Sequence, residues 1–339
     1  VSLALRRNAN RKRPVRRYAR GTLLAPRCSM TNHARALCAV VITLFTVTTT
    51  GRALADRARD QRTEYLQHVY DDFARGNADA VTGRLPQAIS WHMIGWREDV
   101  VPFAGTYNGR REVRELLRSY FAQIAVVSYR FEYALSDGAY TTWHFRLVGY
   151  VAATGKTFDA EVVHLWQFDD CDRPVFVRAY ADTQLLIDAF APSGPRALTD
   201  RKNTADDYMV RDTGYDVQGL VTAVYDDFYA GRIDAVLARF SPAVAIYFQG
   251  HDNPQSGEYH GIQGALEFAQ NLAGTVVPGE IDRFYVTQGD RTDVVLFENW
   301  TVVATGKPYH VHTLNSWRVD ADGLLLGFIN YPDVDAVAA

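Results

Sequence analysis

The chain states one motif twice. Residues 69–81 read VYDDFARGNADAV and residues 224–236 read VYDDFYAGRIDAV, nine identities in thirteen positions. Further parallels follow in the same order: Tyr107-Asn-Gly109 with Tyr259-His-Gly261, Ala153-Thr-Gly-Lys156 with Ala304-Thr-Gly-Lys307, Trp166 with Trp317, and Tyr180-Ala-Asp182 with Tyr331-Pro-Asp333. The offset drifts only from 155 to 151 residues. A period this long exceeds the few tens of residues of a solenoid repeat, so each copy is expected to be a domain with its own core. The expected division is a leader over 1–55, a first domain over 60–192, a linker over 193–211 and a second domain over 212–339.

Charge separates the leader from the rest. Residues 1–55 hold eleven of the 36 Lys and Arg residues and no acid, which leaves 25 basic against 39 acidic side chains from Asp56 onward. Within the leader, Met30 opens a segment with Arg35, an apolar core from Ala36 to Val47 and an Ala53-Leu54-Ala55 end. That is the layout of a secretory signal peptide over 30–55, with cleavage expected after Ala55 and a core too short to span a bilayer. The alternative is an N-terminal anchor helix. The expectation is a secreted or periplasmic protein, free of the membrane once cleaved, translated from a start later than Val1. Of three cysteines, Cys28 and Cys38 fall in the leader, so a mature chain would keep Cys171 alone and form no internal disulfide. An acidic body also argues against a nucleic-acid partner, because phosphates select basic faces.

Hydropathy patterning gives each copy the order α-α-β-α-β-β-β-β. In the first, Tyr65, Val69 and Phe73 keep a helical period over about 60–75, Asn77 to Leu85 is a second helix, 88–94 a strand and Gly109–Ala122 a third helix. Four strands follow at about 126–135, 139–152, 157–169 and 174–182, split by turn residues. Helices first and consecutive hairpins after predict an α+β fold, a curved antiparallel sheet covered by helices on one side.

Parity along strand 157–169 places Phe158, Ala160, Val162, His164, Trp166 and Phe168 on the helix-covered face. In the second copy Asn315 stands where the first has His164. Pairing the last two strands about the turn at 169–173, with Phe168 opposite Pro174, sets His164 opposite Arg178 and Asp182 opposite Ala160. Asp182 would then lie roughly 13 Å from His164, too far for a His–Asp dyad, and Arg178 becomes the group expected to tune the imidazole. Val163 and Leu165, apolar on the outer face, suggest that the two copies pack sheet to sheet as an internal pseudo-dimer, with a homo-oligomer as the other possibility.

Several short motifs together resemble SnoaL-like domains of the nuclear transport factor 2-like superfamily: Tyr-x-x-Phe-x-x-Gly-x-x-Asp in the first helix, Phe103-Ala-Gly-Thr-Tyr-Asn-Gly-Arg-Arg, Thr154-Gly-Lys, His164-x-Trp166 and Arg178-x-Tyr180-x-Asp182-Thr183. The resemblance implies a sheet wrapped around a helix as a cone with a deep, mostly apolar pocket. Its relatives include ketosteroid isomerases, polyketide cyclases, epoxide hydrolases, dehydratases and non-catalytic binders, so the fold leaves the function open. The isomerases' two functional aspartates align with His92 and His164 in the first copy and with Tyr247 and Asn315 in the second. Their tyrosine aligns nearest to Val69, one place from Tyr70, and the cyclases' aspartate falls at Arg178.

The expected function is binding of a small, mostly apolar molecule, without a cofactor. Isomerase- or cyclase-like proton transfer in the first domain is one reading; a non-catalytic binding or assembly module is the other. As an enzyme, the first domain would use His164 as acid and base with His92 as its partner, and Arg178 or Asp182 would set their ionisation. The plainer alternatives make both histidines hydrogen-bonded wall residues and Asp182 a helix cap. Trp91, Trp143, Phe158 and Trp166, with Tyr247, Asn315 and Trp317 in the second copy, are expected to line the pockets. His310-x-His312 has metal-pair spacing but faces away from the cone and lacks a third ligand, so no metal site is expected. The second domain, without the two histidines, is expected to support the first.

Overall fold

The structure, a computed structural model, describes residues 43–93, 100–199, 209–250 and 254–332, with backbone alone for 43–56 and 332. The first half runs α1 (Thr43–Ala74), α2 (Ala78–Arg84), β1 (Ser90–Met93), β2 (Gly105–Asn108), α3 (Gly109–Gln123), β3 (Ile124–Asp137), β4 (Tyr140–Val151), β5 (Lys156–Phe168), β6 (Pro174–Ala181), α4 (Thr183–Phe190) and β7 (Ala197–Thr199). The second half runs α5 (Val217–Tyr229), α6 (Ile233–Leu237), β8 (Phe240–Phe248), β9 (Gly257–His260), α7 (Gly261–Thr275), β10 (Val276–Gln288), β11 (Arg291–Val302), β12 (Pro308–Val319) and β13 (Leu325–Pro332).

The sheets have one topology. The first is ordered β2-β1-β6-β5-β4-β3 and the second β9-β8-β13-β12-β11-β10. Every successive pair is antiparallel except β1 with β6 and β8 with β13, which run parallel. The chain leaves the first strand through a helix and returns to it only after the meander, and so joins it parallel. This is the expected α+β architecture twice over.

Helix α1 buries Leu66, Val69, Tyr70 and Phe73 against the sheet. Gly76 then takes a positive φ of 67°, and its N–H closes on the Phe73 carbonyl at 2.8 Å. That left-handed stop favours glycine. Asp72, buried on this helix, receives Arg75 and Arg84; in the second copy Asp227 receives Arg232 and Arg239. The guanidinium hydrogen bonds hold both carboxyls below the usual carboxylate range.

Four differences from the sequence reading are structural. Helix α1 starts at Thr43 and runs through the expected cleavage point, while the first half of the expected signal segment, 30–42, lies outside the described residues. The linker contains β7, which adds to β5 in parallel. Cys171 is disulfide-bonded, contrary to its expected solitude, and Cys28 and Cys38 lie outside the described residues. Finally, a register shift between Gln167 and Phe168 moves the β5–β6 pairing by one: His164 stands opposite Ala179, and Leu165 opposite Arg178. A one-residue bulge sends a whole strand's side chains to the other face, so Arg178 points away from His164.

The outer faces of the two sheets meet. Val163, Leu165 and Tyr180 share one apolar cluster with Val286, Val295, Leu314 and Tyr331. Polar contacts cross the same layer: His144 Nε2 lies 2.7 Å from Asp293 Oδ2, Tyr133 Oη 3.0 Å from Ser316 Oγ, and the Tyr331 hydroxyl donates to Glu161 at 3.3 Å. No helix among the described residues is long and apolar enough to cross a membrane.

Candidate functional site

Each sheet closes around its helices, but the two interiors differ. The first encloses a cavity of about 40 Å³ and the second one of about 110 Å³.

In the first copy, His164 lines the smaller cavity with Trp91, Phe158 and Leu147. Its Nδ1 lies 2.6 Å from the Tyr70 hydroxyl, which also receives the Trp166 indole N–H at 3.0 Å. Tyr70 stacks on Trp143 at 5.2 Å between ring centres, and Phe145 packs edge-on against the imidazole. In this dry aromatic nest, burial pushes the His164 pKa down to about 3, so the ring is neutral at physiological pH. Trp143 and Trp166 are buried behind the lining rather than on it.

His92 does not join His164. It alternates with inward-facing Trp91, bonds to the Thr106 hydroxyl at 2.6 Å and pairs with Arg178 in register. Burial first, then the Arg178 charge, lowers its pKa to about 4. Burial first, then the Arg178 and His92 charges, also lower the His312 pKa to about 4, so these three lie close together. The first-copy residues expected to act together are thus divided between two faces of one sheet. Asp182 caps α4, accepting the Leu185 N–H at 3.0 Å, and its second oxygen accepts the Gly250 N–H at 3.2 Å. Its counterpart Asp333 lies outside the described residues. Among the described residues no group of three or more His, Cys, Asp or Glu is placed to hold a metal ion.

The second cavity is built from the same positions with other side chains. Asn315 and Trp317 line it; Tyr247 does not, because Ile246 and Phe248 take the inward places on β8. The Tyr225 hydroxyl, the counterpart of Tyr70, accepts from Asn315 Nδ2 at 2.6 Å and Trp317 Nε1 at 3.1 Å. Its own proton is left to donate. Asn330 Nδ2 donates to Asn315 Oδ1 at 2.5 Å, while Asn330 Oδ1, buried in the same wall, has no hydrogen-bond partner among the described residues.

The sequence reading missed Glu298. This side chain on β11 lines the cavity and is 8% exposed. It accepts the Tyr229 hydroxyl at 2.8 Å and the Thr313 hydroxyl at 3.2 Å, and a bond from Trp300 also holds it. Burial outweighs these three donors and raises its pKa from 4.5 to about 7. Such a carboxyl can give or take a proton near neutrality. The missed signal is its parity: Glu298 alternates with Val294, Leu296 and Trp300 on the inward face, where the first copy carries Leu147.

Residues 66–173 match the SnoaL-like domain family. The matched segment runs from within α1 to the turn before β6. The second copy repeats the strand order of that domain. Comparison with curated proteins gives no match. Among solved structures, the chain is similar to an NTF2-like protein from Burkholderia thailandensis, with 24% identity over 39% of this chain and 98% of that one and a TM-score of 0.34. An NTF2-like protein from Burkholderia xenovorans is 21% identical over 36% and 92%, with a TM-score of 0.33. A protein with a ketosteroid isomerase-like fold from Catenulispora acidiphila is 13% identical over 39% and 98%, with a TM-score of 0.32.

Proposed function

We propose that this chain is an exported small-molecule-binding protein whose working chamber is the second copy, with the SnoaL-like first copy as its support. The observation that carries the reading is the cavity of about 110 Å³ walled by apolar and aromatic side chains around a buried carboxyl. A mostly apolar ligand gains affinity by leaving water for such a wall, and a few convergent polar groups fix its orientation. Glu298 favours a second reading of the same chamber, proton exchange with the ligand, because its pKa of about 7 leaves both protonation states accessible. The first copy offers less: its cavity is about 40 Å³ and burial keeps His164 neutral.

The test is the small molecule that copurifies with the protein from its native host, identified by mass after denaturing release. Ala269 lines the second cavity, and at the equivalent place on α3 the first copy has Leu117. The Ala269→Leu variant should fold and lose the molecule, whereas Leu117→Ala should keep it. Undiminished retention by Ala269→Leu would rule out the second cavity as the binding place.

A further inference from the structure

We infer that the second-copy cavity takes a ligand with a protonated amine or quaternary ammonium on a compact apolar body, the cation seated against Glu298. This rests on the reading of that cavity as the binding chamber, and adds the chemical class of its occupant.

Three observations point the same way. Among the described residues Glu298 is the only charged side chain in the wall, and no Lys, Arg or His lines it. A cavity whose single ionisable acid is a carboxyl rejects anions and complements a cation. Second, the spare hydrogen-bonding capacity is mostly acceptor. Glu298 receives three donors, and a carboxylate offers about four lone-pair sites, so one remains. Asn330 Oδ1, in the same wall and nine-tenths buried, has no partner among the described residues. A ligand that fills these places must bring donors or positive charge; the Tyr225 hydroxyl proton can serve an oxygen elsewhere on the same molecule. Third, the carboxyl is ringed by aromatic faces. Tyr229 and Trp300 both bond to it and lie 6.2 Å apart between ring centres, and Phe228 stands against Tyr229 at 5.6 Å. Aromatic faces around an anion form the environment in which an alkylammonium exchanges its water for π-density. Arg283 is held by Asp226 and lies over the Tyr225 ring at 5.5 Å, outside the lining.

The first copy supplies the internal contrast. Leu147 replaces Glu298, Ala179 stands where Asn330 does, and Val162 where Thr313 does, so every acceptor that would hold a cation is absent from its wall.

The experiment uses the full chain and an isosteric pair: benzyltrimethylammonium and neopentylbenzene, which differ by a nitrogen and a charge. Equilibrium dialysis at about pH 8 should show the cation bound at least about tenfold more tightly than the hydrocarbon. In Glu298→Gln that preference should vanish while the hydrocarbon still binds. Equal binding of the pair by the wild type, or a preference that survives in Glu298→Gln, would overturn the inference and leave the chamber intact. Failure of both probes to bind would remove the chamber reading together with the inference.

A wild-type series covers the case in which the variant does not fold. Coupled to Glu298 are Tyr229 and Tyr225 from α5 and Tyr309 from β12, all three with raised pKa values. Glu298 is therefore the wall group that ionises near neutrality. Affinity for benzyltrimethylammonium should climb as pH passes about 7, while that for neopentylbenzene stays level. A flat cation profile would count against the inference as firmly as the variant.

Discussion

The two copies share a backbone and differ in what fills it. At inward positions of β4 the first copy has Trp143, Phe145 and Leu147, where β11 has Val294, Leu296 and Glu298; on the covering helix, Leu117 and Tyr120 answer to Ala269 and Leu272. Large aromatic groups become small aliphatic ones, and the hollow grows from about 40 to about 110 Å³. The extra void costs on the order of 1–2 kcal/mol in lost packing. The well-packed copy can offset this, because its outer sheet face is joined to that of its neighbour through one shared apolar layer. Under the proposed function one copy supplies stability and the other the chamber, a division that a single domain would have to compromise within itself.

The largest expected effect comes from exchanging the pair at the centre of that contrast. Leu147→Glu places a carboxyl among Phe145, Phe158 and Ala160 with no donors arranged for it, and should cost on the order of 3–5 kcal/mol at neutral pH. A carboxyl with a folded pKa raised by burial stabilises only below its unfolded pKa, so the penalty should shrink as pH falls toward 4. The converse, Glu298→Leu, removes a buried acid but leaves the Tyr229, Thr313 and Trp300 donors without their acceptor, so it should cost about 1–2 kcal/mol at neutral pH and abolish the cation preference. Urea midpoints of both variants decide the matter; a tolerated Leu147→Glu would mean that the first interior is wetter than its packing implies.

Next in size is the seam between the copies. Asp293 is fully buried, accepts from His144 Nε2 and from Ser316 Oγ, and is held below the usual carboxylate range chiefly by the His144 charge and its hydrogen bonds, against its burial. Asp293→Ala leaves both donors without an acceptor in a dry layer and should cost about 3 kcal/mol. A cost near zero would mean that the layer admits water. Because the folded pKa is depressed, the stabilisation is present above the unfolded value of 3.8 and is lost as pH falls through the folded one.

Smaller again is the pH slope owed to Glu298. A rise from 4.5 to about 7 corresponds to about 3 kcal/mol at most, lost gradually as pH climbs through that window, since the folded state holds the proton more tightly. Glu298→Gln should flatten the stability curve between those values, and an unchanged slope would assign the titration to another group.

Much of this architecture was legible in residues. Period-two alternation on 157–169 and the repeat itself fix the sheets, because inward and outward faces of a strand cannot exchange without exposing the core. The site was less legible. The turn at 169–173 gives no sign of the bulge at Gln167, and that one residue carried Arg178 to the other face. His92 failed for a related reason: in a four-residue strand a single position decides inward or outward, and Trp91, the larger apolar group, takes the inside. Glu298 lies in the copy that lacks the histidines, and its signal is an acid in an apolar alternating series, rarer than an imidazole beside tryptophan.

The smallest expected effect tests whether His164 is a wall residue. Asn315 makes the same bond to Tyr225 that His164 makes to Tyr70. His164→Asn should therefore preserve the tyrosine's partner and cost about 1 kcal/mol at neutral pH, chiefly from lost aromatic packing. With a folded pKa of about 3 against an ordinary 6.5, the histidine's contribution is present above 6.5 and drains away as pH falls toward 3. The variant should consequently equal or exceed the wild type near pH 4. If it instead lost ligand binding or turnover while keeping its neutral stability, chemistry would return to the first copy and the division of labour proposed for the pair would be reversed.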